Sequence, residues 1–176
     1  MVNMSIMTKR NFLFIPLFSF LVIAGCTKDR TPAGIDAELF SKAQRKEGFA
    51  YYNFSTEFLA STKVGGHKST YFRTKYNSLA ATILDSTGIA FPGSFFPEGS
   101  MIVNEMSSIK GEPEKYAIMF KDKNSDYADE KGWVWSYANA DNTIIEPASR
   151  KGISCISCHS SDNSTLMSTF SSGEKK

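Results

Sequence analysis

Cysteine and histidine are scarce in this chain of 176 residues, which contains 3 of the first and 2 of the second. Charge of one sign is not in excess either, because 20 Lys and Arg face 18 Asp and Glu. This balance gives no indication of a nucleic-acid partner, which a basic patch would signal. The sequence also has no internal repeat, which excludes repeat architectures. A single-core domain is the expected organisation.

The only marked apolar run lies near the N-terminus, from Asn11 to Ala24, directly after Lys9 and Arg10. It is too short to span a bilayer comfortably but has the length of a signal-peptide core. We therefore predict that residues 1–25 are a signal peptide rather than part of the fold. Because Lys9 and Arg10 are its only charged residues, the rest of the chain has a net charge of 0.

The first cysteine follows this run, in the order Ala24-Gly25-Cys26. Small residues directly before a lone cysteine resemble the lipobox of bacterial lipoproteins, which implies cleavage before Cys26 and acylation of it. Several acyl chains give a stable anchor where one is marginal. We predict an exported protein, lipid-anchored to a bacterial membrane on its periplasmic or cell-surface side, with residues 26–35 as a polar tether. An ordinary secretory signal with a chance cysteine is the alternative.

The other two cysteines form the motif Cys155-Ile156-Ser157-Cys158-His159. This spacing is typical of c-type haem attachment, in which both thiols bond to one porphyrin and the histidine binds the iron. A redox dithiol would not call for the histidine, and a zinc site would need a fourth ligand when His67 is the only other histidine. The motif predicts one covalently bound haem c, with Cys155 and Cys158 as thioether residues and His159 as axial ligand.

Lipid on Cys26 and haem on the other two cysteines leave none for a disulfide, although an exported protein can use one. Attachment of c-type haem takes place outside the cytoplasmic membrane. The export signal and the haem motif therefore support each other.

Residues 36–176 are predicted to form the haem domain. Asp36 is expected to cap a helix that runs to about Lys46, with Leu39, Phe40 and Ala43 on one face and Gly48 at its end. The aromatic-rich stretch 49–59 is expected to start a second helix near Ser55. Asn77 is expected to cap a short helix carrying Leu79, Ala80, Ile83 and Leu84, with Gly88 at its C-terminal end.

Four stretches have the alternation or composition of strands, namely residues 67–76, 101–106, 116–121 and 133–137. Successive strands joined by polar turns favour an antiparallel meander over a parallel sheet. Between the first two strands, Phe91, Phe95 and Phe96 stand in a turn-rich segment. They are expected to cover something, either the protein core or a haem wall.

The order of several short motifs resembles the cytochrome P-460 family, which also includes cytochrome c-prime-beta. The motifs are His67 with Tyr71-Phe72-Arg73, Tyr76-Asn77, Phe96-Pro97-Glu98-Gly99-Ser100-Met101-Ile102-Val103, Met119-Phe120-Lys121-Asp122, Gly132-Trp133-Val134-Trp135 and the haem motif. The resemblance implies an α+β fold, in which an antiparallel β-sheet of about five strands packs against helices. It further implies a c-type haem attached near the C-terminus, a distal side that is open or weakly filled, and often a homodimer.

Members of this family that oxidise hydroxylamine carry a lysine cross-linked to the porphyrin and a distal carboxylate that handles protons. By this resemblance, the lysine position falls at Asn104 and the carboxylate position near Ala117. Asparagine cannot form the cross-link and alanine cannot relay protons, so hydroxylamine oxidation is disfavoured. A link through Lys121 or Lys110 would revive it.

Four residues are candidates for the distal side of the haem: Ile102, Asn104, Ala117 and Met119. Asn104 either donates a hydrogen bond to bound NO, O₂ or water, or lies on a solvated strand face. Met119 is either a sixth iron ligand or a core residue. His67 is either an iron ligand or a surface or structural histidine.

Three functions follow from these alternatives. The first is binding of a small diatomic or nitrogenous ligand of the NO type at a haem without the lysine cross-link. The second is electron transfer through a six-coordinate haem, with a redox partner protein. The third is an oxidoreductase acting on hydroxylamine or peroxide, for which the sequence assigns no catalytic residue.

Overall fold

The computed structural model describes residues 34–61, 67, 69–91 and 94–159. The predicted signal peptide, the lipidation candidate Cys26 and most of the predicted tether lie outside these residues. Within the described ranges, no helix combines the length and the apolar character that crossing a membrane requires.

An antiparallel sheet of seven strands forms the centre of the domain. The strands are β1 (Phe49–Tyr51), β2 (Leu59–Ala60), β3 (Tyr71–Asn77), β4 (Met101–Ser107), β5 (Lys115–Lys121), β6 (Trp133–Asn139) and β7 (Ile144–Glu146). Their order is β1-β3-β4-β5-β6-β7, and β2 also pairs with β3. The predicted antiparallel meander is confirmed in β3 to β6. The sheet has seven strands instead of the about five that the resemblance implies, and the sequence pattern did not reveal β1, β2 and β7 because strands of two or three residues show no alternation.

In the described part of the chain, three short helices accompany the sheet: α1 (Ile35–Ala43), α2 (Ser78–Ala81) and α3 (Ile156–His159). Single 3₁₀ turns lie at Tyr52–Phe54 and Ala148–Arg150. The α+β class is thus confirmed for the described part of the chain, with far more sheet than helix.

The cap predicted for the first helix is wrong. Gly34 occupies the N-cap position, and Asp36 lies in the first turn. Its Oδ1 instead accepts hydrogen bonds from Ser136 Oγ at 2.7 Å and from the backbone N–H of Ala148 at 3.0 Å. The carboxylate therefore fastens α1 to β6 and to the second 3₁₀ turn, so tertiary contacts override the local capping preference.

The helix also ends earlier than predicted, at Ala43 with Gln44 as C-cap. One reason is that the carbonyl of Arg45 accepts a hydrogen bond from Lys75 Nζ at 2.7 Å, which draws it onto the sheet. The helix predicted in residues 49–59 is wrong as well, because β1 and β2 in this stretch pair with β3. Pairing with a distant strand again outweighs local pattern.

Asn77 caps α2 as predicted, since its Oδ1 accepts from the backbone N–H of Ala80 at 2.9 Å. The same oxygen accepts from the N–H of Met101, and Nδ2 donates to the carbonyl of Gly99. The helix stops at Ala81 instead of continuing to Gly88. Asn77 thus joins β3, α2 and the start of β4.

The two faces of the sheet bury separate clusters. One packs against α1 and contains Leu39, Phe40, Ala43, Met101, Val103, Tyr116, Ile118, Val134, Ala138 and Ala148. The other contains Tyr76, Ala80, Ala90, Phe96, Ile102, Met119, Trp133 and Trp135, and Cys155 and Ile156 pack against it. The alternation of each strand sorts its side chains between these faces.

A buried charge cluster joins β3 to β4 on the face that carries α1. Glu105 accepts from Lys75 Nζ at 2.6 Å and from Arg73 Nε at 2.6 Å, and its side chain is 3% exposed. Burial lowers the pKa of Lys75, an effect that its bond to Glu105 partly offsets. Because each charge has a partner, the cluster avoids the cost of an isolated buried ion.

Candidate functional site

The site lies on the second face of the sheet, where two rows of side chains cross neighbouring strands. Strand register pairs Ile102 with Met119 and Met119 with Trp135. The adjacent row runs through Thr74, Asn104, Ala117 and Tyr137. The structure thus brings the four predicted distal candidates, Ile102, Asn104, Ala117 and Met119, onto one surface.

The C-terminal motif faces this surface. α3 is a single turn in which the backbone N–H of His159 bonds to the carbonyl of Cys155 at 3.1 Å. Cys155 and His159 are half-buried and line the pocket, whereas Cys158 is exposed. Both cysteines are free thiols. One helical turn therefore presents the Cys155 thiol and the His159 imidazole to the pocket, with the Cys158 thiol on the outer side of the same turn.

Electrostatics argue against a redox dithiol here. Burial, with the charge of Glu146, raises the pKa of the Cys155 thiol to about 11. A reactive cysteine needs a lowered pKa, because the thiolate is the nucleophile. Burial, with a contribution from His67, lowers the pKa of His159, so its imidazole is neutral near pH 7 and retains a lone pair for a metal.

Trp135 holds the C-terminal motif against the sheet. Its ring centroid lies 5.5 Å from that of His159, and its Nε1 donates to Asp129 Oδ2 at 2.9 Å. Gly152, at φ +69°, approaches so closely that an added Cβ would lie 2.5 Å from Trp135 Cγ. The carbonyl of Gly152 in turn accepts from the N–H groups of Cys155 and Ile156. Trp135 therefore fixes where α3 begins.

His67 also lies in the pocket, which excludes the surface position considered for it and leaves an iron ligand or a structural histidine. Its ring centroid is 5.5 Å from Tyr137 and 6.3 Å from His159. Burial lowers the pKa of His67 below its usual value. It is thus a half-buried, neutral imidazole beside the predicted axial ligand rather than a surface histidine.

Two neighbouring polar atoms on the pocket wall have no hydrogen-bond partner among the described residues: Thr74 Oγ1 and Asn104 Oδ1. Their residues are directly opposite each other on β3 and β4. Buried polar groups are normally paired, and leaving one unpaired costs about 1–3 kcal/mol. The pair thus leaves a hydroxyl and an amide oxygen on the pocket wall for a polar atom of a ligand or of a water.

The space between the sheet and α3 measures ≈ 560 Å³, part of it open to solvent. Its described lining consists of His67, Thr74, Ile102, Asn104, Ala117, Ile118, Met119, Trp135, Ser136, Tyr137, Cys155 and His159. No lysine or carboxylate occurs among these lining residues. The wall is mostly apolar, as is usual for a cofactor site.

The predicted cover of three phenylalanines is wrong in part. Phe91 and Phe95 are 51% and 74% exposed, and neither lines the pocket. Phe96 is buried in the core, where it packs edge-on against Trp133 with centroids 5.5 Å apart. Tight turns place only one of the three rings inward. Lys121 likewise lies over the Trp133 ring rather than in the pocket.

The chain also matches a known protein family. The family model described as Cytochrome P460 matches residues 51–167, which is more than half of the chain. The chain belongs to the cytochrome P460 family. Neither the curated proteins nor the solved structures contain a significant match to it. Membership in cytochrome P460 implies that the chain binds haem.

The site of this cytochrome P460 chain fits a haem. The pocket wall is largely apolar, and His159 presents a neutral imidazole whose buried Nδ1 has no partner among the described residues. Two free thiols lie on the same turn as this imidazole. Thiols, an imidazole and an apolar wall together are the protein contributions that an iron porphyrin requires.

Sequence patterns did not identify five residues of this site: Thr74, Tyr137, Trp135, Asp129 and Gly152. Alternation could have found Thr74, because it shares a strand face with Tyr76. The roles of Asp129 and Gly152 depend on contacts that no local pattern reports.

Proposed function

We propose that this protein holds one haem c covalently and binds a small NO-type ligand on it. Cys155 and Cys158 would form the thioether bonds, and His159 would be the axial ligand. When bound, the haem supplies an iron centre that takes small ligands and changes oxidation state. The support is the pocket itself, which gathers Cys155, His159 and the distal candidates in one place.

The observation that carries ligand binding is the unpartnered pair Thr74 Oγ1 and Asn104 Oδ1 in an otherwise apolar wall. A threonine hydroxyl both donates and accepts, and an asparagine amide offers a donor beside its acceptor. The pair therefore suits a small ligand with a polar end, such as NO or a similar nitrogenous molecule. Neither group carries charge, so the ligand need not be ionic.

Absence of a cross-linking lysine supports binding over hydroxylamine oxidation. By the family resemblance, Asn104 falls at the position of that lysine, and Ala117, its direct partner on β5, falls near the position of the distal carboxylate. No acid or lysine is present among the described lining residues to take their place. The pocket thus holds a ligand without an evident proton relay.

Absorption spectra of the reduced, haem-loaded protein with and without NO test this proposal. We expect a five-coordinate nitrosyl or a six-coordinate one to form, and Asn104→Leu to speed NO release. Loss of one hydrogen bond of about 1–1.5 kcal/mol corresponds to roughly 5- to 13-fold. Asn124→Leu, the same change at an exposed position, should leave release unaltered. A reduced haem that does not respond to NO would refute the proposal.

Electron transfer is the second candidate, because Met119 lies in the pocket and is only 8% exposed. A methionine on the iron would make the haem six-coordinate. Met119→Ala should then convert the spectrum to high spin. An unchanged spectrum would remove Met119 as a ligand.

We also propose export and lipid anchoring through Cys26, supported by the sequence around it. Metabolic labelling with a radioactive fatty acid should mark the wild-type protein and not Cys26→Ser. Label on the serine variant would show that lipid is attached elsewhere, or not by this route.

A further inference from the structure

Two imidazoles share the proposed haem pocket, although the haem motif accounts for only one of them. His67 and His159 both line this pocket, and their ring centroids are 6.3 Å apart. His67 lies just before β3, and His159 ends α3, so the two rings reach the pocket from segments that are distant in the sequence.

Their separation matches a particular chemistry. A metal–imidazole nitrogen bond is about 2 Å long, so imidazoles on opposite sides of one metal ion have ring centroids on the order of 6 Å apart. The planes of the two rings are inclined by 43°, which axial coordination permits because each ring turns freely about its metal–nitrogen bond.

The surroundings of His67 favour a ligand role over a hydrogen-bonded core histidine. Its described ring contacts are the edge of Tyr137 and the ring of His159. The described pocket lining offers no carboxylate to pair with an imidazolium.

We propose that His67 is the second axial ligand of the haem iron, opposite His159, and that an incoming small ligand displaces it. In this exchange the bond between iron and the His67 nitrogen breaks as the bond to the ligand forms, and the oxidation state of the iron does not change. The inference rests on the proposed function, since it requires a haem in this pocket. It replaces Met119 with His67 as the resting sixth ligand.

The exchange has a measurable consequence. When only a fraction of the molecules is free to bind the small ligand, the apparent affinity for that ligand is the intrinsic affinity multiplied by this fraction. If His67 holds the iron in about nine molecules of ten, removing it should raise the apparent affinity roughly tenfold. Ligand association to the wild type should also level off at high ligand concentration, at the rate at which His67 leaves.

The test uses the haem-loaded full chain, with absorption and electron paramagnetic resonance spectra and with carbon monoxide as probe for the reduced form. We expect a low-spin bis-imidazole spectrum for the wild type and a high-spin spectrum for His67→Gly. Added imidazole should restore the low-spin spectrum of the glycine variant, which also shows that its pocket is folded. Met119→Leu should remain low-spin.

The wild-type spectrum decides the matter even if His67→Gly does not fold. A high-spin, five-coordinate wild-type haem would overturn the role of His67 and leave ligand binding intact. Conversion to high spin by Met119→Leu, with His67→Gly still low-spin, would overturn it in favour of methionine. If His67→Gly becomes high-spin yet binds neither carbon monoxide nor NO, His67 is the ligand and the proposed binding function fails.

Discussion

Replacing Gly152 with alanine tests whether the contact with Trp135 holds the C-terminal motif in place. The new Cβ would lie 2.5 Å from Trp135 Cγ and 2.7 Å from its Nε1. The indole has little room to retreat, because its ring is 4% exposed and Nε1 is bound to Asp129. Either the ring moves and that bond breaks, or the turn before α3 shifts.

Two costs add up. An alanine in the left-handed region at φ +69° costs about 1–2 kcal/mol, and overpacking a buried site costs about 1–3 kcal/mol. We therefore expect Gly152→Ala to lower the free energy of unfolding by about 2–5 kcal/mol. For a chain of this size, each kcal/mol corresponds to about 2–4 °C in Tm.

Gly48→Ala is the matched control. Gly48 has φ +78°, and no atom lies within 4 Å of an added Cβ, so only the backbone cost of about 1–2 kcal/mol applies. Urea unfolding of both haem-loaded variants, followed by circular dichroism, gives the difference due to Trp135. If Gly152→Ala loses no more stability than Gly48→Ala, the proposed role of Trp135 is refuted.

Three further outcomes are expected in the same assay. Asn77→Ala should cost about 2–4 kcal/mol, because it removes a helix cap and leaves buried backbone partners unpaired. Glu105→Gln should lower the free energy of unfolding by about 3–5 kcal/mol, because it leaves the buried Lys75 without its carboxylate. Glu38→Gln, in an exposed ion pair, is the control and should lower it by only about 0.3–0.5 kcal/mol. Equal losses in the two variants would contradict this. Burial, with the charge of Glu105, raises the pKa of Tyr116 to about 12. Since that pKa is above its ordinary value of 10, the stabilisation is complete below pH 10 and lost as pH rises to about 12. As pH rises from 10 to about 12, the wild type should therefore lose about 2–3 kcal/mol more stability than Tyr116→Phe does. The same pH profile for both proteins would contradict this prediction.

The parts of the fold that the sequence predicts are those with a local cause. Alternation of apolar residues identifies β4, β5 and β6 because each has seven residues. The cap at Asn77 depends on an N–H three residues away. Asp36 has the same local preference but bonds to Ser136 and Ala148, which are 100 and 112 residues distant. A local sequence pattern carries no information about hydrogen-bond partners so distant along the chain.

The candidate site divides in the same way. Cys155 and His159 are identified by a motif of five residues, and Asn104 and Ala117 by strand position and family resemblance. His67 belongs to an alternating stretch and to the family resemblance, but neither reports its place beside His159, which depends on tertiary structure. The unpartnered state of Thr74 Oγ1 is likewise visible only once its neighbours are positioned.

Both tryptophans of the chain, Trp133 and Trp135, belong to β6 and to the buried cluster on the pocket face. Their fluorescence therefore originates beside the proposed haem, which absorbs where indole emits. Energy transfer to the haem would quench the fluorescence of both tryptophans, whereas a chain without haem would fluoresce from two buried indoles. In the purified protein, tryptophan fluorescence should therefore report how much of the chain carries haem, without any added label.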